Sequence, residues 1–261
     1  GFISLSGHEY QAAYDYLQQA LTLKRLLRYH EDVVVTLLFS AHLWMALGAY
    51  EAAQQEQAEI QAILRMLRNP YWENWLSVIN ARLQYLRGDA AAAYTACTLA
   101  LQVAQQGGMQ LHEQWARIYL GHILVALGDY QAAGQSYQQA LATPQRANWV
   151  YRTTDAQAGL AACLLAQNEL TNALVHAEAA LAQLTQHGLA VAEEPFRVYW
   201  TCVQVLRANN DPRAAEVLRT AYQHLQATAQ QLEDKKLQRA LLENIAHHRE
   251  LIIAAQAGSI G

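Results

Sequence analysis

Between residues 130 and 141, Tyr130, Ala133, Tyr137, Ala140 and Leu141 recur at helical spacing while Gln131, Gln135, Gln138 and Gln139 take the opposite side. This is the pattern of a helix with one packed face and one solvated face. It repeats along the chain and predicts pairs of helices, the first of each pair at roughly 32–47, 71–87, 112–127, 151–167 and 194–208. Their partners fall at roughly 50–67, 90–105, 130–142, 170–186 and 212–231, and His8 to Arg28 reads as the second helix of a pair whose first is not in the sequence. Lys235 to Gln256 reads as one unpaired amphipathic helix, with Leu237, Leu241, Ile245, His248, Leu251, Ile252 and Ala255 along one side.

The period is set by a stretch of the type Leu127-Gly128-Asp129-Tyr130-Gln131-Ala132-Ala133. Related copies give an alanine column at Ala13, Ala53, Ala93, Ala133, Ala173 and Ala215, in steps of 40, 40, 40, 40 and 42 residues. A second small column, Ala41, Ala81, Gly121 and Ala161, lies in the first helices, and a third, Ala20, Ala100, Ala140 and Ala180, follows the first column by seven residues. Small side chains at constant phase let the helices of a hairpin approach closely. Glycine and proline in Arg68-Asn69-Pro70, Gln106-Gly107-Gly108, Thr143-Pro144 and Gln186-His187-Gly188 mark the ends of pairs. The division that follows is an incomplete repeat at 1–30, repeats at 31–68, 69–108, 109–148, 149–190 and 191–232, and a capping helix at 233–257. Gly1 to Ser6 is read as a stub, Ala257 to Gly261 as a frayed tail, and the whole as a C-terminal fragment of a larger protein.

Composition supports helix over strand: 53% of the 261 residues are hydrophobic and only 4 are proline. A net charge of −4 offers no general attraction for nucleic acid or an acidic membrane surface, and no 18-residue apolar run suggests a membrane span. Cys97, Cys163 and Cys202 lie singly in apolar helices and read as buried thiols in a reducing compartment, so a cytoplasmic location is expected.

Trp115 to Ala140, with Gly121, the Leu127-Gly128-Asp129-Tyr130 turn, Ala133 and Ala140, resembles the tetratricopeptide repeat at its characteristic positions. The resemblance covers nearly the whole chain but with a unit of 40 residues, longer than is usual in that family. Lengthened arrays of this kind resemble the C-terminal regions of bacterial signal-transduction ATPases of the STAND type and related transcription regulators, as does the closing segment Leu237 to Ile252. The resemblance implies an all-α, right-handed superhelical solenoid with a C-terminal capping helix. It also implies a concave groove lined by the first helices, in which the array senses a ligand or partner and controls an upstream module.

In such a groove Val35, Leu38, His42 and Met45 form one stripe, Trp75, Val78, Arg82 and Tyr85 the next, and Trp115, Ile118, His122 and Val125 the third. The fourth copy, Asp155, Ala158, Ala162 and Leu165, is small. His42, Met45, Trp75, Arg82, Tyr85, Trp115 and His122 are the candidate ligand residues: rings to stack and cations to hydrogen-bond a peptide, a sugar or a nucleotide. Interhelical packing is the competing role for the same rings. Glu193-Glu194 reads as a helix start, where acids suit the dipole. No phosphate-binding glycine loop, nucleophile elbow or metal-ligand spacing occurs, so no enzyme, cofactor or metal is expected. The expected partner is a protein or peptide, or the upstream output domain of the same chain, with a small molecule or self-association as alternatives.

Overall fold

The computed structural model describes residues 8–142 and 150–258. Gly1 to Ser6, the Gly7 that opens the loosest repeat copy, the Thr143-Pro144 turn and residues 259–261 lie outside the described residues. Among the described residues thirteen α-helices and one short 3₁₀ turn follow one another: α1 Tyr10–Leu26, α2 His30–Ala46, α3 Tyr50–Leu67, α4 Pro70–Leu86, α5 Ala90–Gln106, α6 Gln110–Ala126, α7 Tyr130–Ala142, α8 Val150–Ala166, α9 Leu170–His187, the 3₁₀ turn Leu189–Val191, α10 Pro195–Ala208, α11 Arg213–Gln230, α12 Lys235–Glu243 and α13 Ala246–Gly258. Each packs on the next, giving a tetratricopeptide-like array of helical hairpins.

The forty-residue period has a simple origin. Helices of 17 residues, such as α2, α5 and α6, alternate with turns of about three residues. The described turns between repeat helices hold one residue of positive φ at a recurring place: Gly48, Gly88 and Gly128, then Asn168 and Asn210, end one helix of each pair, while Arg28, Arg68, Gly108 and Gly188 end the other. At Gly48 the following Ala49 N–H reaches back to the Trp44 carbonyl at 2.8 Å, closing the helix end as a left-handed C-cap does. Sequence steps of 20 residues therefore come from turn chemistry repeated on both sides of every hairpin.

First helices form the inner layer and second helices the outer one. In α2 ten residues between Val33 and Met45 are buried, whereas α3 buries only Ala53, Ile60 and Leu64. Ala13, Ala53, Ala93, Ala133 and Ala173 are wholly buried, as are Ala41, Ala81 and Ala161. At the last step the column shifts: Ala214 is buried and Ala215 is exposed, because α11 begins only after Pro212.

The end of the chain differs from the single helix that its pattern predicts. It breaks at Asn244-Ile245 into α12 and α13. The break lets Ile245, Leu241 and Leu251 enter the same apolar cluster as Tyr10, Ala13 and Leu17 of α1 and Leu43 and Leu47 of α2. Asn244 Nδ2 donates to the Gly48 carbonyl at 2.9 Å, and Glu233 N–H donates to Gln11 Oε1 at 3.1 Å. The C-terminal pair thus touches both ends of the array and closes it upon itself, beyond capping the last repeat.

Candidate functional site

The inner face carries a strap. Forty-residue steps from His30, Pro70 and Gln110 lead to residue 190, but α10 starts at Pro195, close to the 194–208 expected from its own pattern. The intervening segment runs through the 3₁₀ turn and an extended Ala192 into the concavity. Pro195 supplies the first helical position, where its missing N–H costs nothing. The two acids before it do not cap the helix: Glu194 makes no side-chain cap bond. They turn inward instead.

There they meet two arginines. Arg82 Nη1 donates to Glu193 Oε1 at 2.6 Å and Arg82 Nη2 to Glu194 Oε1 at 3.0 Å. Arg197 Nε donates to Glu194 Oε2, and Tyr119 Oη donates to Glu193. His42 Nδ1 lies 3.1 Å from Arg82 Nη1 and 3.5 Å from Glu193 Oε1. Asp155 accepts the backbone N–H of Glu193 at 2.7 Å and of Glu194 at 3.1 Å, so α8 holds the strap's main chain while α4 and α10 hold its carboxylates. Burial would raise the Glu193 pKa, but Arg82 with His42 and Tyr119 outweighs it and holds the group at about 2. Glu194 is held well below the carboxylate range by Arg197 and Arg82 against the same burial. Asp155 goes the other way: burial, opposed by its two backbone donors, pushes it up to about 8. Buried Arg82 and half-buried Arg197 therefore balance two ionised glutamates.

Beside this network lies a cavity of about 450 Å³. Tyr85, His122, Tyr137, Arg197, Trp200, Tyr50 and His247 line it, with exposed Asn244, Arg249 and Glu250 on its solvent side. The walls thus come from α3, α4, α6, α7, α8, α10 and α13 together. Tyr137 belongs to an outer helix, yet its hydroxyl reaches His122 Nδ1 at 2.6 Å. It passes inward because Gly121 and Gly159 leave room: a Cβ on Gly121 would lie 2.5 Å from the ring, and one on Gly159 2.3 Å. The matching inner positions of neighbouring repeats hold Phe39, Ile79, Tyr119 and Tyr199. One repeat has exchanged an inner side chain for a ring from outside.

The seven candidate residues do not share one open groove. Tyr85 and His122 line the cavity; His42 and Arg82 belong to the ion network; Met45 is buried in a crevice with Tyr10 and Phe196. Trp75 and Trp115 pack on each other with centroids 5.0 Å apart, and the Trp75 indole N–H points to His42 Nε2 at 3.4 Å. Both indoles are almost wholly buried, so they shape the inner layer from within. Tyr50, Tyr137, Arg197, Trp200 and His247 are the lining residues that helical periodicity gives no sign of. The missing side chain at Gly159 is the trace they leave in the sequence.

His122 is held neutral. Burial first, then the charge of Arg197, lower its pKa from the ordinary 6.5 to about 3. Between these values the unfolded chain binds a proton that the folded chain does not, so stability falls as pH drops through the window. Its size is about 1.4 kcal/mol per pH unit for this one group. Chemical denaturation at several pH values between about 4 and 6 should show the native protein losing stability with acid more steeply than His122→Phe by that slope. Equal slopes would mean that His122 protonates freely in the fold. His248 is lowered to about 4, mainly by burial, and its Nδ1 faces the Leu241 carbonyl at 2.7 Å.

All three cysteines are free and buried, and burial pushes each thiol up to about 12. No described helix is long and apolar enough to cross a membrane.

No protein-family model matches the chain, and no curated protein matches its sequence. Solved structures do match the fold. BtubC (BKLC) from P. vanneervenii superposes with a TM-score of 0.60 at 19% identity, over 87% of this chain and 94% of that one. A Signal Transduction ATPase with Numerous Domains (STAND) protein with a tetratricopeptide repeat sensor, from Pyrococcus horikoshii, superposes with a TM-score of 0.57 at 13% identity. That match covers 96% of this chain, which spans 43% of the length of the STAND protein. The likeness is one of fold: a helical repeat array.

Proposed function

We propose that this chain is a non-catalytic sensing scaffold, the regulatory part of a larger bacterial signalling ATPase or transcription regulator. The observation that carries the reading is that one cavity, beside the strap, is walled jointly by α3, α4, α6, α7, α8 and α10 and by the C-terminal helix α13. Whatever occupies it touches α4, α6, α10 and α13 at once, so occupancy and the closed arrangement are linked by differential affinity. A neighbour in fold is described as containing a sensor of this repeat type, which supports the same assignment here. The chamber's titratable walls are poorly placed for acid–base catalysis. Burial lowers His122 and, further, His247, and raises Tyr50 to about 12. A general acid or base works best near the ambient pH. The small volume favours a small ligand over an extended peptide along the inner face.

The test is amide hydrogen exchange of residues 188–197 and of α12–α13, with host extract divided into a small-molecule and a macromolecular fraction. Protection of both segments by the small-molecule fraction is the expected result. Protection by the macromolecular fraction alone would make the array a protein-docking scaffold, and no change with either would overturn sensing through this chamber.

A further inference from the structure

The chemistry of the chamber narrows its ligand, and the narrowing rests on the sensing assignment above. At the deep end the least committed polar group is Arg197. Its Nε is spent on Glu194 and its Nη1 on the Tyr85 hydroxyl at 3.0 Å, while Nη2 has no acceptor among the described residues. The guanidinium lies over the Tyr85 ring, 5.6 Å from its centroid, so its plane is fixed. About a fifth of the side chain is exposed, at 22%, on the side of the cavity. Next to it stand His122 and the Tyr137 hydroxyl, a hydrogen-bonded pair at 2.6 Å whose orientation the two glycines Gly121 and Gly159 secure.

The carboxylate among the lining residues is the exposed Glu250, next in sequence to Arg249. Glu193 and Glu194 lie outside the lining and are bound by Arg82 and Arg197. A planar fork with an unused N–H edge fits a carboxylate or a phosphate group. Charge decides between them. Arg82 and Arg197 are already balanced by Glu193 and Glu194, so a dianion would be buried against one partly neutralised cation with a further acid at the entrance. A single negative charge costs much less to bury there. The remaining walls, Tyr50, Tyr85 and Trp200, are half-buried aromatic rings, surfaces suited to a flat apolar body.

We infer that the chamber binds a small monocarboxylate carried on a flat ring, its carboxylate on the Arg197 Nη2 edge and the His122–Tyr137 pair, and its ring among Tyr50, Tyr85 and Trp200. This is a ligand class for a site that the repeat pattern does not contain, since it depends on the one repeat in which Tyr137 replaces an inner side chain.

Benzoate, benzamide and phenyl phosphate form the test set: the same ring bearing one negative charge, none and nearly two. Binding is followed by calorimetry and by the indole N–H resonance of Trp200 in the intact chain. Benzoate should saturate the site in the millimolar range or below, as suits so small a ligand. It should bind about tenfold tighter than benzamide, the difference expected for a charge-assisted pair. Tyr137→Phe, which keeps the ring between the glycines and removes only the hydroxyl, should weaken benzoate about fivefold. Arg197→Met should abolish the preference for benzoate over benzamide. Because Arg197 also holds Glu194, that variant is read only alongside Tyr137→Phe and a melting curve.

Equal or tighter binding of benzamide or phenyl phosphate would overturn the inference. So would the absence of saturation by benzoate, or its unchanged affinity in Tyr137→Phe. Hydrogen exchange separates this from the sensing assignment. Benzoate binding without protection of residues 188–197 would leave the site and remove the sensor, whereas protection by host small molecules without benzoate binding would do the reverse.

Discussion

Arg82→Met should destabilise the protein by about 3–5 kcal/mol, the cost of leaving a buried ionic partner uncompensated. Arg82 is 2% exposed and serves both carboxylates of the strap. Methionine fills much of the same volume, so the loss is electrostatic more than steric. Glu193 would keep Tyr119 and His42 but lose its main counter-charge, and Glu194 would keep Arg197, its larger counter-charge, but lose Arg82. The chain has two ways to respond: take up protons on the glutamates or expel the strap into water. Either should lower the melting temperature by on the order of 10 °C. Expulsion would also appear as fast amide exchange confined to residues 188–197. Arg82→Lys should fall between, because one ammonium cannot span two carboxylates as a fork does. Adding Glu193→Gln and Glu194→Gln to Arg82→Met should recover part of the loss by removing the stranded charges. An unaltered melting curve and unaltered strap exchange in Arg82→Met would show that the network does not hold the array closed.

Gly159→Ala is expected to have the opposite sign to most glycine-to-alanine changes in a helix. Within α8 alanine should gain about 1 kcal/mol from helix propensity. Its Cβ, however, would come within 2.3–2.7 Å of three ring atoms of Tyr137, and on its other side the ring lies so near the Gly121 backbone that a Cβ there would also be only 2.5–2.9 Å away, leaving little room to retreat. Overpacking of this kind costs about 1–3 kcal/mol and, with a rigid ring between two backbones, the upper end applies, for a net loss of about 2 kcal/mol. The loss should disappear in a Tyr137→Ala background, where the single change Tyr137→Ala itself costs about 3–5 kcal/mol through the cavity it leaves. A double-mutant cycle by chemical denaturation isolates the coupling. Additive effects would mean that the ring has room to move aside.

These two predictions concern features of different legibility. The helices from α1 to α11 with boundaries within a few residues, the wholly buried alanines from Ala13 to Ala173 and the inner position of the first helices follow from periodicity, because each hairpin meets neighbours of the same kind and local pattern suffices. His42, Arg82 and the inner tryptophans were legible as inward-facing. Their division into an ion network, a packed pair of indoles and a cavity wall was not, since it depends on what arrives opposite them. Glu193 and Glu194 are the clearest case. Acids before a proline read as a helix start, and only the strap's entry into the concavity gives them Arg82, more than a hundred residues away in sequence.

The sequence by itself determined the repeat: turns with a left-handed residue every twenty positions, seventeen-residue helices, small columns at constant phase, and hence an array of hairpins. Tertiary structure alone decided that the array closes on itself. The break between α12 and α13, the Asn244 bond to Gly48, the strap and the chamber each join residues far apart in the chain. The physical reason is one of range. Helix propensity, capping and amphipathic faces are written in windows of a few turns, whereas the partner of a buried charge or of an inward ring is set by the summed curvature of all the hairpins between them.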